Sequence, residues 1–411
     1  MKYWIFLQQV LGQGSRKLLD VIEHYKSAQA FYDAGVHDVE RLGILSKNEL
    51  DRYRRTKLEF CEGIIDYCEQ RGYDIVTPND KRYPKRLAHL VNPPAVLYVK
   101  GDFPDFDDEV AIAMVGTRKC SDNGRKIARE LSQRLTASGC LVVSGGAIGI
   151  DSSAHIGAIK AGGKTVAVLG CGLDYPYLQQ NEELRADIAS NGALISEYPP
   201  KAPATKYTFP VRNRLISGLC LGTIVVEATR SSGSLITVDH ALEQGRDIFV
   251  IPGSISDPLY AGSNRLIRDG AKAILSPIDV LEEYNNYYPH RINMSGCEIS
   301  ITDECDELET AQPIEENAKP APKAEDKQQN NSEIDLEKFR LNYQLLSDDA
   351  KELFAAFLNT QTDVFDLALE NCELDMSAAI AALTELEIFG FVSAIPGGRY
   401  SVNISKEVTD V

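Results

Sequence analysis

The spacing of apolar positions changes three times along the chain. From Met1 to Gln70 it follows the helical period: Leu18, Leu19, Ile22 and Tyr25 share a face, as do Leu58, Cys61, Ile64, Ile65 and Cys68. Residues 1–70 read as a small helical domain. Its turn Leu11-Gly-Gln-Gly-Ser15 suits either a helix-hairpin-helix contact to a phosphate or a plain turn with a serine cap. Residues 71–109 read as a connector shaped by Pro84, Pro93 and Pro94, with a strand over Ala95–Val99.

From Val110 short apolar runs alternate with amphipathic stretches. Strands are predicted at Val110–Val115, Cys140–Ser144, Lys164–Leu169, Ala193–Ser196, Thr223–Val226, Asp247–Ile251 and Lys272–Ile274. Helices are predicted at Gly124–Thr136, Ser152–Lys160, Glu182–Ala189, Leu235–Gln244 and Asn264–Arg268. This alternation implies a parallel sheet covered on both faces, an α/β domain over residues 110–284. Residues 285–337 hold few large apolar side chains and read as an acidic, disordered linker. Ala350, Leu353, Phe354 and Phe357 then form a helical stripe, followed by helices at Asp363–Leu369 and Ser377–Leu386. A hairpin over Phe391–Val402, turning at Gly397 and Gly398, completes a winged-helix-like domain at 338–404. Ser377–Phe389 holds no Lys or Arg, which favours a protein contact or a structural role over groove reading.

Polar and glycine-rich segments of the α/β domain follow the strands: Gly116–Arg118, Gly145–Gly149, Gly170–Gly172, Glu197, Glu227 with Ser231–Ser234, and Pro252–Gly253. Open parallel sheets bind ligands beyond the carboxyl ends of their strands. Before the strand at Thr223 lies Lys206-Tyr-Thr-Phe-Pro-Val-Arg-Asn-Arg214, read as a loop. Cations for phosphates beside aromatic rings for bases are what a single-stranded nucleic acid requires. If this segment is helical instead, Arg212 and Arg214 face different ways. One then holds DNA and the other a carboxylate such as Glu197 or Glu227; Arg212 is the choice for DNA.

Charge refines this picture. The formal net charge is −17. It is −9 over Asp303–Glu337 and −7 over Lys338–Val411, but +1 over Val110–Tyr284. The acidity therefore lies outside the α/β domain and does not argue against a nucleic-acid groove there. Nine scattered cysteines without a Cys-x-x-Cys pair imply a reduced, cytoplasmic protein with neither a disulfide framework nor a zinc site. No apolar run reaches the ~18 residues of a membrane span. Neither a Walker lysine nor a Ser–His–Asp set stands out. His155 reads as a residue bonded within the domain, and Cys120, Cys140, Cys171 and Cys220 as packing residues. Glu197 and Glu227 suit either glycosidic chemistry or the holding of arginines and backbone amides; the second reading is preferred.

The ordered set Gly116-Thr-Arg118, Ser144–Asp151 with His155, Gly170–Asp174, Ser196-Glu-Tyr198, Phe209–Arg214, Ser232–Thr237, Gly245-Arg246 and Pro252-Gly253 resembles the DNA-processing protein A (DprA/Smf) family. The resemblance implies an extended Rossmann-like domain, with a SAM or helix-hairpin-helix-like domain before it. It implies single-stranded DNA binding without a nucleotide cofactor, metal or catalytic residue. Protection of incoming strands in natural transformation, loading of a RecA-type recombinase and a homodimer through the Rossmann-like domain are implied with it. Carried onto this sequence, the DNA site comprises Arg118, Lys206, Phe209, Arg212 and Arg214, with amides at Gly145, Gly146, Gly233 and Ser234. The alternative is an enzyme of the lysine-decarboxylase-like group, a nucleoside monophosphate phosphoribohydrolase. Arg230-Ser-Ser-Gly-Ser-Leu235 stands where that group has Pro-Gly-Gly-x-Gly-Thr, which disfavours the enzyme.

Overall fold

The computed structural model describes residues 1–176 and 181–294 and, from 343 to 402, a discontinuous set that includes 346–360. The chain forms two compact units, Met1–Gln312 and Pro313–Val411.

The first unit is built on a nine-stranded sheet. Its strands are β1 (Asp74–Val76), β2 (Leu97–Gly101), β3 (Val110–Val115), β4 (Cys140–Ser144), β5 (Thr165–Leu169), β6 (Ala193–Ser196), β7 (Gly222–Val225), β8 (Asp247–Val250) and β9 (Lys272–Ala273). Their order is β1-β2-β6-β5-β4-β3-β7-β8-β9. Strands β3 to β9 run parallel, and β1 and β2 add an antiparallel edge against β6. The segment read as a connector thus extends the sheet. The chain winds from β3 outward to β6 and then returns to the other side of β3 with β7. The β3/β7 junction is therefore the topological switch point, where a crevice opens beyond the strand ends.

Burial on both faces explains the continuous apolar strands. All six residues of β3 are buried. Val110, Ile112 and Met114 pack under α8 (Asp122–Ala137) and α9 (Ile150–Lys160) through Leu131, Leu135, Ala154 and Ala158. Ala111, Ala113 and Val115 face the opposite layer, where α11 (Thr208–Leu219) supplies Leu215 and Leu219 and α12 (Leu235–Glu243) supplies Val238 and Ala241. The period of two along the strand assigns the two sets to opposite faces.

Two boundaries differ from expectation. The segment around Phe209 is helix α11, not loop. Pro210 lies in the first turn of that helix, where a missing N–H removes no intrahelical bond. Residues 285–294, assigned to the linker, pack on the domain. Ile292 is buried in the core under α8, Asn293 N donates to Ser138 O at 3.0 Å, and Arg291 pairs with Asp108. Residues 295–337 lie outside the described residues.

The amino-terminal helices run from α1 (Lys2–Leu11) to α6 (Leu58–Arg71). Their core joins Phe6, Phe31 and Cys68 to Tyr98, Leu169 and Leu194 of the sheet, so the helical bundle is seated on the β2/β6 edge. The turn after α1 docks against α11. Glu197 Oε1, just beyond β6, accepts from Gly14 N at 3.2 Å, and both its oxygens accept from Arg214 Nη2 at 2.7 and 2.8 Å. These two side chains are only 2% and 3% exposed.

In the second unit, helix Asp348–Thr360 buries Ala350, Leu353, Phe354 and Phe357 as the stripe predicted. Val392–Ile395 pairs antiparallel with Arg399–Val402, the expected hairpin. Its turn at 397–398 and most of the helix expected at 363–369 lie outside the described residues; within the helix expected at 377–386, the described residues 378–379, 382–383 and 385–386 are helical. No described helix is long and apolar enough to cross a membrane.

Buried ionisable side chains tie the stability of this unit to charge and to pH. Truncating Glu197→Ala strands the Arg214 guanidinium in the interior, so denaturant unfolding should show a loss of about 3–5 kcal/mol. His155 is fully buried, and its Nδ1 lies 2.8 Å from Thr165 Oγ1, whose hydrogen goes to Val142 O. Nδ1 therefore carries the proton, and burial lowers the imidazole pKa to about 3. Below the unfolded value near 6.5 only the unfolded chain gains this proton. Stability should fall as pH drops from there towards 3, by at most about 1.4 kcal/mol per unit. Urea titrations at pH 7 and pH 5 should show a smaller pH effect in His155→Gln than in wild type; equal losses would contradict the assignment.

Candidate nucleic-acid interface

A cavity of about 1040 Å³ opens at the β3/β7 switch point. Arg118 reaches it from the loop after β3, and Lys206, Phe209 and Arg212 reach it from α11 and the residues leading into it. Gly233 and Ser234 close the far wall at the start of α12. Six of the nine residues expected from sequence thus share one cavity.

Phe209 is the centre of this group. The Arg118 guanidinium lies 5.2 Å from its ring centroid and that of Arg212 lies 5.9 Å away. Cations at this distance are attracted by the ring quadrupole. The ring sits against the backbone at Gly170, where a β-carbon would come within 2.8 Å of Phe209 Cδ1. The Gly170 motif is therefore a seat for this ring.

The cations differ in kind. Arg118 and Lys206 are exposed and, among the described residues, form no ion pair with a carboxylate. Arg212 is 4% exposed. Its Nη1 donates to Gly145 O at 2.7 Å and to Val168 O, and its Nε donates to Asn213 Oδ1 at 3.2 Å. It is a fixed charge in the cavity floor, held by the carboxyl ends of β4 and β5. Asp151 also reaches the wall and accepts from Ala147 N at 3.4 Å. Burial raises its carboxyl pKa against the opposing pull of Arg212. That shift favours the neutral acid and limits repulsion of an anionic ligand.

Three expected members stand behind the wall. Gly145 holds Arg212 through its carbonyl, and Gly146 O accepts from Asn181 Nδ2 at 3.2 Å. Arg214 faces away from the cavity, paired with Glu197. On a helix, residues two apart point in different directions, which separates Arg212 from Arg214. Lys119, Tyr175 and Asn213 line the cavity and were not singled out from the sequence. Each lies beside a recognised motif, but nothing in its own spacing marks it.

The carboxylate pair is occupied structurally. Glu227 accepts from Ser121 N at 2.9 Å and Ser121 Oγ at 2.5 Å, at the start of α8. Neither Glu197 nor Glu227 is among the described lining residues. His155 is likewise sealed in the core.

Residues 74–285 match the family model described as DNA recombination-mediator protein A. The chain is 42% identical over 237 residues to the DNA processing protein DprA of Bacillus subtilis, covering 58% of this chain and 78% of that one. It is 45% identical over 205 residues to DprA of Streptococcus pneumoniae, covering 50% and 72%. The X-ray structure of the Streptococcus pneumoniae protein superposes with a TM-score of 0.61 at 36% identity, over 69% of this chain and 98% of that one. A family-model match over half the chain, together with relatives covered over most of their length, establishes that the chain belongs to the DprA/Smf family of DNA recombination-mediator proteins.

Proposed function

We propose that the cavity binds single-stranded DNA, with phosphates on Arg118 and Lys206 and a base stacked on Phe209. The observation that carries this reading is an aromatic ring with two guanidinium groups near it in an open cavity at the switch point. Phosphates need exposed cations and bases need a ring face; neither demands a sequence-specific contact. Arg212 adds long-range attraction from the floor, and the amide at Gly233, entering α12, suits a further phosphate oxygen, while Ser234 N donates to Ser232 Oγ at 3.4 Å. On this reading the protein protects incoming strands in natural transformation and hands them to a RecA-type recombinase. The description of the matching family as recombination mediators supports that partner. Pairing of two copies through the sheet domain belongs to the same reading, as do a cytoplasmic location and a binding role without catalysis. The glycosidic alternative loses support because both candidate glutamates are engaged elsewhere.

Salt titration of affinity for an oligothymidylate separates the roles. Arg118→Ala and Lys206→Ala should each weaken binding and lower the log–log salt slope by about 0.7. Phe209→Ala should weaken binding by roughly 1–3 kcal/mol with little change in slope. Wild-type affinity in all three folded variants would place the DNA elsewhere. Because 285–294 belongs to the folded domain, truncation after Met294, not before it, should leave affinity intact or slightly higher, since it removes an acidic segment that competes with DNA. A large loss in a folded truncate would assign DNA binding to the removed segment.

A further inference from the structure

Helix α11 has two working faces. Phe209, Arg212, Asn213 and Ile216 line the cavity. Val211 and Arg214, three residues apart and so neighbours on the helix, face the turn that follows α1. Gly14 in that turn has φ +71, a conformation that glycine adopts without strain. Its amide donates to Glu197 Oε1, which also receives Arg214. Its carbonyl accepts from Asn92 Nδ2 at 3.3 Å. A β-carbon at Gly14 would lie 2.7 Å from Val211 Cγ1 and 3.5 Å from Arg214 Nε. The backbone of the helical bundle is therefore in direct contact with the helix that carries the cavity residues. The turn that resembles a helix-hairpin-helix phosphate contact has its Gly14 amide engaged by protein.

We propose that this turn is a positioning element for the cavity: by docking on Val211 and Arg214, Gly14 sets where α11 presents Phe209 and Arg212. The inference rests on the single-strand reading of the cavity and adds a role for the amino-terminal bundle in it. The bundle acts through α11 and touches no DNA. Displacing the turn shifts the helix across its cavity face, and sites of this kind tolerate only fractions of an ångström. The Arg214–Glu197 pair fixes the direction of the coupling, because a buried ion pair holds only in good geometry.

The experiment uses the full chain and a fluorescent oligothymidylate. Gly14→Ala introduces the β-carbon that meets Val211. Its affinity should fall about tenfold, within the range of one lost base stack. Its salt slope should stay at the wild-type value, because no phosphate contact is removed. Val211→Ala removes methyl groups that the turn packs on and should itself weaken binding, and the loss in the double variant should be smaller than the two single losses combined, as expected for directly coupled residues. A role confined to stability would lower the melting temperature of Gly14→Ala and leave the affinity of the folded protein unchanged. Asn92→Ala removes the second docking bond without adding an atom, and should weaken binding about two- to threefold, the worth of a modest hydrogen bond. Should Gly14→Ala fail to fold, Asn92→Ala decides: wild-type affinity in that folded variant overturns the proposal. Wild-type affinity in folded Gly14→Ala, with Phe209→Ala weakened, overturns it while leaving the cavity reading intact. Single-variant losses that simply multiply in the double variant also overturn it. Wild-type affinity in both Gly14→Ala and Phe209→Ala would instead remove the cavity reading itself.

Discussion

The buried pair of Arg214 and Glu197 is the constraint from which the arrangement around α11 follows. The Arg214 side chain, 2% exposed, is held inside the domain with a carboxylate held beside it. Glu197 stands just beyond β6, at the carboxyl end of a parallel strand, and Arg214 stands on the crossover helix that leads to β7. Their bond ties the two ends of that crossover together across the sheet face. Gln244 Nε2 donates to Arg214 O at 2.9 Å, so α12 is tied to the same residue. Gly218, one turn further, packs against Leu87 and Leu90 of the segment before β2. With α11 fixed at these points, its other side is free to carry ligand-facing groups.

Those groups divide the work by burial. Arg212 is buried, with its Nη1 held by two backbone carbonyls, and so contributes a field more than a movable contact. Arg118 and Lys206 are exposed and can follow a phosphate. The Phe209 ring lies against the Gly170 backbone with the Arg118 and Arg212 guanidinium groups near it, which restricts the ring before any ligand arrives. A preset ring loses little freedom on binding, which favours stacking over contacts that must first be ordered.

Much of this was legible in the sequence because burial on both faces writes apolar runs that periodicity detects. The seven parallel strands were placed within a residue or two, and the polar residues after them pointed to one end of the sheet. What could not be read was set by tertiary context. β1 is three residues long and pairs only through β2, so no local pattern announces it. α11 carries Pro210, two arginines and Gly218, a composition that reads as loop. The proline is harmless in the first turn, and the arginines are helical because each has a buried acceptor. Two-residue spacing did separate Arg212 from Arg214, yet nothing local showed that Gly145 serves the arginine instead of the ligand. Residues 285–294 resemble linker in composition, but Ile292 finds a place under α8.

The charge distribution limits how such a site can work. The chain carries −17 overall, while its sheet domain is near neutrality. Among the described lining residues the exposed cations are Arg118, Lys119 and Lys206, and burial shifts Asp151 on the wall towards its neutral form. Three neutralised phosphates correspond to a salt slope of only about −2 for a single strand. On the single-strand reading proposed above, counterion release is a modest part of the affinity, and the larger part comes from the Phe209 stack and from enclosure in the cavity. A double helix offers phosphates at similar spacing but keeps its base faces covered. On the same single-strand reading, discrimination between single and double strands resides in the ring. A single strand alone can use it, and it is the ring that the Gly170 seat and α11 hold in place.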